Sequence, residues 1–209
     1  MLLNKKGGEV MLGNLKVRIT AEIAILSALG IVLDLVFGLF QNSIFPYGGS
    51  ISIAMVPIMI ISIRRGIGAG LLTGFLVGTI QLIYGGYILQ FFQMILDYPV
   101  PYTVVGLSGV FILKNKITPR RMILGGIVAG LLRYFSHFLA GVTFWKDYIP
   151  TEPFMGIENF TAFTWSTFYN ALYMFPSIIF SVAVVVMLYN YAPKLFTDEK
   201  AHRILNIEE

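Results

Sequence analysis

The sequence predicts an all-α, polytopic integral membrane protein: a bundle of six transmembrane helices with both termini in the cytoplasm. Three observations carry that prediction. The 209 residues are 56% hydrophobic and only 12% charged, with a mean hydropathy of +0.77; soluble domains carry about twice that charge fraction. The apolar stretches are long and do not alternate with polar residues, which argues against a membrane β-barrel. The positive charges are segregated along the chain.

The elements follow from the apolar runs. A helical span needs about 20 apolar residues, and runs of suitable character lie at about 17–40, 50–63, 66–84, 88–113, 120–144 and 162–190. The second is short for a full span and fits a helix that is little tilted or that sits partly inside the bundle. Lys5, Lys6, Lys16 and Arg18 precede the first run. Arg64 and Arg65 separate the second from the third. Lys114, Lys116, Arg120 and Arg121 separate the fourth from the fifth, and Lys194, Lys200 and Arg203 follow the sixth. The alternate connections hold only Lys146. Because Lys and Arg concentrate on the cytoplasmic side, both termini lie there. The chain divides into a cytoplasmic tail over 1–16, a membrane domain over 17–195 and a second tail over 196–209. The opening "MLLNKKGGEVML" is too polar for the apolar core of a signal peptide.

Composition also excludes functions. The net charge of +4 reflects topology rather than a nucleic-acid surface. Without cysteine there is no thiol chemistry, and without a Walker motif the chain does not hydrolyse ATP by that route. Gly70, Gly74 and Gly78, Gly126 and Gly130, and Ala24 and Ala28 repeat every four residues. Small residues at that spacing let helices approach closely. For the glycines the reading is packing within the bundle; the alanine pair also suits a face offered to another protein.

Ionisable side chains inside a span face the bundle interior or a cavity. The candidates are Glu22, Asp34, Asp97, Arg133 and His137. Counting from the outer ends at about 1.5 Å per residue places Asp97 roughly 13 Å deep, and His137 and Asn170 roughly 12 Å deep. A carboxylate, an imidazole and an amide thus share one level in the outer half of the membrane. Tyr98 and Tyr169 accompany them, Trp145 sits at the rim, and Tyr87 belongs to the same mouth. An acidic group among aromatic faces attracts an organic cation, and His137 and Asn170 can read hydrogen-bonding edges. Gly141, between His137 and Trp145, leaves room for a flat ring. Plainer readings exist for each residue alone: Trp145 as an interfacial anchor, His137 as an interhelical hydrogen bond, Asp97 as a partner of His137 or Arg133. Arg133 counts as nearer the cytoplasmic side, a structural charge pairing with Asp34 or snorkelling. Glu22 counts as solvated near the inner surface.

"GLSG", Gly106 to Gly109, matches the GxSG of rhomboid intramembrane proteases. A serine nucleophile needs a histidine within hydrogen-bond reach. Ser108 falls about 18 Å from His137 along the membrane normal, so the dyad is not expected and Ser108 reads as a packing residue.

Five stretches together carry a resemblance: "AEIAILSALG" in the first helix, "GGSISIAMVPI" opening the second, "LDYPV" in the fourth, "RYFSHFLAGVTFW" in the fifth and "YNALYMFPS" in the sixth. From about 17 to 195 the chain resembles the thiamine-specific substrate-binding component, or S component, of energy-coupling factor (ECF) transporters. The histidine-to-tryptophan block is the most specific match. The resemblance implies a six-helix, multi-pass protein of the bacterial cell membrane that is not an enzyme. It implies thiamine bound from outside, with no cofactor. It also implies docking onto a transmembrane coupling protein carrying two cytoplasmic ATPases, which use the ATP. The family's docking alanines match Ala24 and Ala28. Its acidic residue, usually glutamate, matches Asp97, followed by Tyr98. Its histidine, glycine and tryptophan match His137, Gly141 and Trp145, and its asparagine matches Asn170. The tyrosine expected before that asparagine falls on Trp165 or Tyr169. Where the family has a tryptophan in the first outer loop, this chain offers Phe45 and Tyr47. The alternatives are an S component for another vitamin or flat organic cation, or a stand-alone carrier.

Overall fold

The computed structural model describes residues 3–39, 45–46, 48–113 and 115–197, with side chains from residue 13 onward. The described residues form seven α-helices: α1 (Leu3–Leu39), α2 (Met55–Arg65), α3 (Ile67–Tyr84), α4 (Phe91–Asp97), α5 (Pro99–Val105), α6 (Pro119–Phe144) and α7 (Ala162–Tyr191). Four stretches are long and apolar enough to cross a membrane: Gly13–Leu39, Ile67–Tyr84, Pro119–Phe144 and Ala162–Tyr191. The two remaining runs depart from uninterrupted spanning helices, and both departures shape the site.

The run expected at 50–63 is helical only from Met55; residues 49–53 have no regular structure. Every residue from Met55 to Ile63 is buried. A helix that is apolar all round belongs inside a bundle, so α2 meets protein rather than lipid and need not match the bilayer thickness. The run expected at 88–113 breaks at Tyr98. Pro99 lacks the N–H that would continue α4, and its ring disfavours helical geometry at the preceding residue. Tyr98 accordingly sits at φ −121°, ψ −75° between α4 and α5. A 3₁₀ turn over Gly106–Gly109 ends the segment.

The glycine series explains how the broken segment is held. A Cβ on Gly74 would lie 2.1 Å from the Tyr102 carbonyl oxygen, and one on Gly78 would lie 2.3 Å from that of Tyr98. The backbones of α3 and α5 therefore touch. At the cytoplasmic end Glu22 is not merely solvated: Arg65 binds it through two nitrogens at 2.6 and 2.7 Å, and Arg64 and Arg18 also reach it. Arg64 donates further to the carbonyls of Lys194, Leu195 and Thr197. These contacts tie α1, α2 and the segment after α7 together. Among the described side chains of α1 the buried ones are Ile23, Ser27, Gly30 and Asp34, a single stripe, whereas Ala24 and Ala28 are exposed on another face.

Candidate functional site

A cavity of about 620 Å³ opens among the outer ends of the helices. Its lining includes Tyr87, Asp97, Tyr98, His137, Gly141, Trp145, Trp165, Tyr169 and Asn170, all nine of the residues singled out in the sequence.

Asp97 organises one wall. It ends α4, immediately before the break, so its side chain projects where the helix stops. Trp145 Nε1–H donates to Oδ2 at 2.8 Å and Gln93 Nε2–H donates to the same oxygen at 2.7 Å. His137 Nδ1 lies 3.3 Å from Oδ1. A carboxylate only accepts, so Nδ1 carries the proton in that contact, and in the neutral ring Nε2 is left as an acceptor. Nε2 is buried and has no protein partner among the described residues. Among the described residues no Lys or Arg ion-pairs with Asp97. Its negative charge is therefore held by three hydrogen bonds and faces the cavity with no Lys or Arg in direct contact among the described residues. Gln93 is fully buried, and it also bonds the backbone of Tyr87 and Leu89. It fixes the outer turn to Asp97. Tyr98 adds a second brace, its hydroxyl accepting from the Tyr87 N–H at 2.6 Å and donating to the Tyr87 carbonyl at 3.2 Å. Tyr87 in turn lies against Trp145, ring centres 5.5 Å apart.

The opposite wall belongs to α7. Trp165 and Tyr169, one turn apart, stack at 4.8 Å and 26°. Tyr173, one turn further, sits edge-on to His137 at 6.1 Å and to Phe45 at 5.9 Å. Asn170 is largely committed within α7: its amide nitrogen donates to Ser166 O and Oγ, and its carbonyl accepts from the Tyr173 hydroxyl. One lone pair of that carbonyl remains. The loop before α2 caps this wall. Gly48 O accepts from Tyr169 Oη at 2.8 Å, and the Ser52 N–H donates to Ser177 Oγ at 3.0 Å. Gly49 has φ +87°, and a Cβ there would lie 2.5 Å from the Tyr173 ring, so both the turn and the contact require glycine. Tyr47 lies outside the described residues.

Two sequence readings change. Gly141 lines the cavity, but the room it leaves is occupied: a Cβ there would lie 2.2 Å from Ser166 Oγ. Its role is the close approach of α6 and α7 rather than a bare shelf for a ring. Arg133 belongs to the cavity after all. It lies on the buried stripe of α6 with Met122, Gly126, Ala129, Ser136 and Ala140. It neither snorkels nor ion-pairs with Asp34; its guanidinium covers the Tyr102 ring at 4.1 Å. Asp34 instead accepts from Gln81 at 2.7 Å, Tyr84 at 3.2 Å and Tyr102. Among the other polar lining residues, Asp34 and Arg133 were named in the sequence only as structural charges, and Gln81, Tyr102 and Tyr173 were not singled out at all. The four-three-four spacing of Ile23, Ser27, Gly30 and Asp34 was the available signal for Asp34.

Ser108 is fully buried and packed on Gly125, whose Cβ position is 1.9 Å from the Ser108 carbonyl oxygen. Gly125 and His137 are separated by about 18 Å of helical rise, so no serine–histidine dyad forms. Among the described residues no group of three or more His, Cys, Asp or Glu could hold a metal ion.

Residues 20–197 match the family described as thiamine transporter protein. The chain belongs to this family. It is 37% identical over 190 residues to the thiamine transporter ThiT of Bacillus subtilis (strain 168), a match covering 86% of this chain and 94% of that one. It is 31% identical to ThiT of Lacticaseibacillus paracasei, covering 68% and 74%. A solved structure of ThiT from Listeria monocytogenes superposes with a TM-score of 0.71 at 29% identity, covering 88% of this chain and 99% of that one. As a member of the thiamine transporter family, the chain is a multi-pass bacterial cell-membrane transport protein, not an enzyme. The lining residues all lie within the matched segment.

Proposed function

We propose that this protein captures thiamine from outside the cell in the 620 Å³ cavity and serves as the S component of an ECF-type transporter. The observation that carries the reading is Asp97, a carboxylate with three hydrogen-bond partners and, among the described residues, no Lys or Arg in contact, set beside aromatic faces. Thiamine supplies what that environment lacks. Its thiazolium ring is a flat cation, attracted by the carboxylate and by the ring faces of Trp145 and Tyr87. Its aminopyrimidine offers an amine donor, for which His137 Nε2 and the remaining lone pair of Asn170 are acceptors. The cavity is within the roughly 300–1,000 Å³ range of small-molecule sites.

The coupling half of the proposal rests on the sequence and on exposure. The chain has no nucleotide-binding motif, so uptake against a gradient draws on partners: a transmembrane coupling protein and two cytoplasmic ATPases. The exposed Ala24 and Ala28 on α1 are the docking surface, small enough to admit a partner helix closely.

Calorimetry and tryptophan fluorescence on the detergent-purified protein test the substrate. Thiamine is expected to bind tightly and to quench Trp145 emission. Absence of thiamine binding, with tight binding of another vitamin, overturns the assignment.

A further inference from the structure

The inner end of the cavity holds a polar group that the cation reading does not use. Arg133 is 5% exposed, yet its Nε and Nη1 are buried without an acceptor among the described residues. Buried N–H groups of a charged side chain are costly when unsatisfied. The neighbours do not relieve them. Tyr102 presents its ring face to the guanidinium, and Asp34 accepts from Gln81, Tyr84 and Tyr102 instead. His137, which shares the same face of α6, directs Nδ1–H to Asp97, and its Nε2 is an acceptor in the neutral ring. The cavity wall therefore offers an unoccupied acceptor at the level of His137 and an unoccupied pair of donors at Arg133.

We infer that Arg133 forms an inner subsite that takes the terminal oxygen of the ligand's side arm. Arg133 and His137 are four residues apart, about 6 Å along the helix. A ring seated beside Asp97 reaches the level of Arg133 with an arm of two carbons ending in oxygen. What Nε and Nη1 lack is an acceptor, and a hydroxyl oxygen supplies one. The planar donor fork of arginine also fixes where that oxygen sits. The assignment rests on the thiamine reading, since thiamine carries a hydroxyethyl arm on its cationic ring.

A double-mutant cycle between ligand and protein tests it. Calorimetry compares thiamine with the analogue bearing ethyl in place of hydroxyethyl, on the wild type and on Arg133→Met. The analogue is expected to bind the wild type about tenfold or more weakly, as for a lost hydrogen bond to a charged group. In Arg133→Met the two ligands are expected to agree within about twofold. An undiminished penalty in the variant overturns the subsite, as does equal binding of both ligands by the wild type, which needs no variant. Should Arg133→Met fail to fold, Arg133→Lys keeps the charge but loses the fork, and the same penalty must shrink; if it does not, the subsite falls. A wild type that binds no thiamine overturns the substrate reading and this assignment together. Thiamine binding without coupling overturns the subsite alone.

Discussion

Asp97 is where a single atom change has the clearest consequence. Its two oxygens accept from three different side chains, Gln93 on α4, His137 on α6 and Trp145 just after α6. Asp97→Asn removes the charge and also turns one oxygen into an NH₂ donor. That group must then face the N–H of Trp145 or Gln93, or that of His137. Both effects oppose a bound cation, and together they are expected to weaken thiamine by about tenfold to a hundredfold. The folded state should persist, because the cavity is open to solvent on its outer side. Calorimetry reads the affinity and a thermal melt reads the fold; unchanged affinity moves the cation site elsewhere. The outer level of this site was legible in the sequence because helical rise converts residue number into depth. Asp97, His137 and Asn170 fell on one level by counting alone. Counting has no angular information, and there it misled. Arg133 was set apart by depth, whereas the spacing of its buried neighbours, Ala129, Ser136 and Ala140, turns it inward and onto the cavity. Gln93 carries no charge, so nothing marked it, although it lies one turn before Asp97 and braces it.

At the scale of elements, four long helices were legible from hydropathy and two segments were not. Hydropathy measures how apolar a run is, not whether lipid or protein covers it. The run that contains α2 looked like a short span because it is buried on all sides. The fourth run looked continuous because Pro99 sits within an apolar stretch, yet its break is what frees the end of α4 to present Asp97. The glycine repeat was the compensating clue. Gly74 and Gly78 line the contact that holds α5 in place despite the break, and that contact is backbone against backbone, while Gly70 meets the Ser62 side chain and the Gly106 carbonyl. Gly74→Ala tests this directly. The new Cβ would meet the Tyr102 carbonyl oxygen at 2.1 Å, and no side-chain rotation relieves a clash with backbone. The helices must part, at a cost of about 1–3 kcal/mol or more. Tyr102 also bonds Asp34 and lies under Arg133, so the shift reaches the cavity floor. Gly74→Ala is therefore expected to lower both the melting temperature and thiamine affinity. A variant as stable as the wild type would show that α3 and α5 do not rely on this approach.

The whole molecule is asymmetric in a way that separates binding from delivery. Its cavity lies at the outer end, lined by α1, α3, α4, α5, α6, α7 and the loop before α2. Its cytoplasmic end is fastened by Glu22 to Arg64 and Arg65, and by Arg64 to the segment after α7. The buried stripe of α1 ends in Asp34 at the cavity, while Ala24 and Ala28 lie on a different, exposed face nearer the cytoplasm. Asp34 and Ala28 are about 9 Å apart along the helix, so a change confined to the exposed face need not disturb the lining. If that face meets a coupling partner, Ala24→Phe with Ala28→Phe fills the space a partner helix requires. In lipid the added rings cost the isolated protein little, because neighbouring positions such as Ile25, Leu29 and Val32 are already large, apolar and exposed. The expected outcome is a purified double variant that binds thiamine as the wild type does, within about threefold. Cells carrying it should take up no labelled thiamine. Retained uptake would refute docking through this pair. Loss of binding as well as uptake would place these alanines in the internal packing of α1, against their exposure.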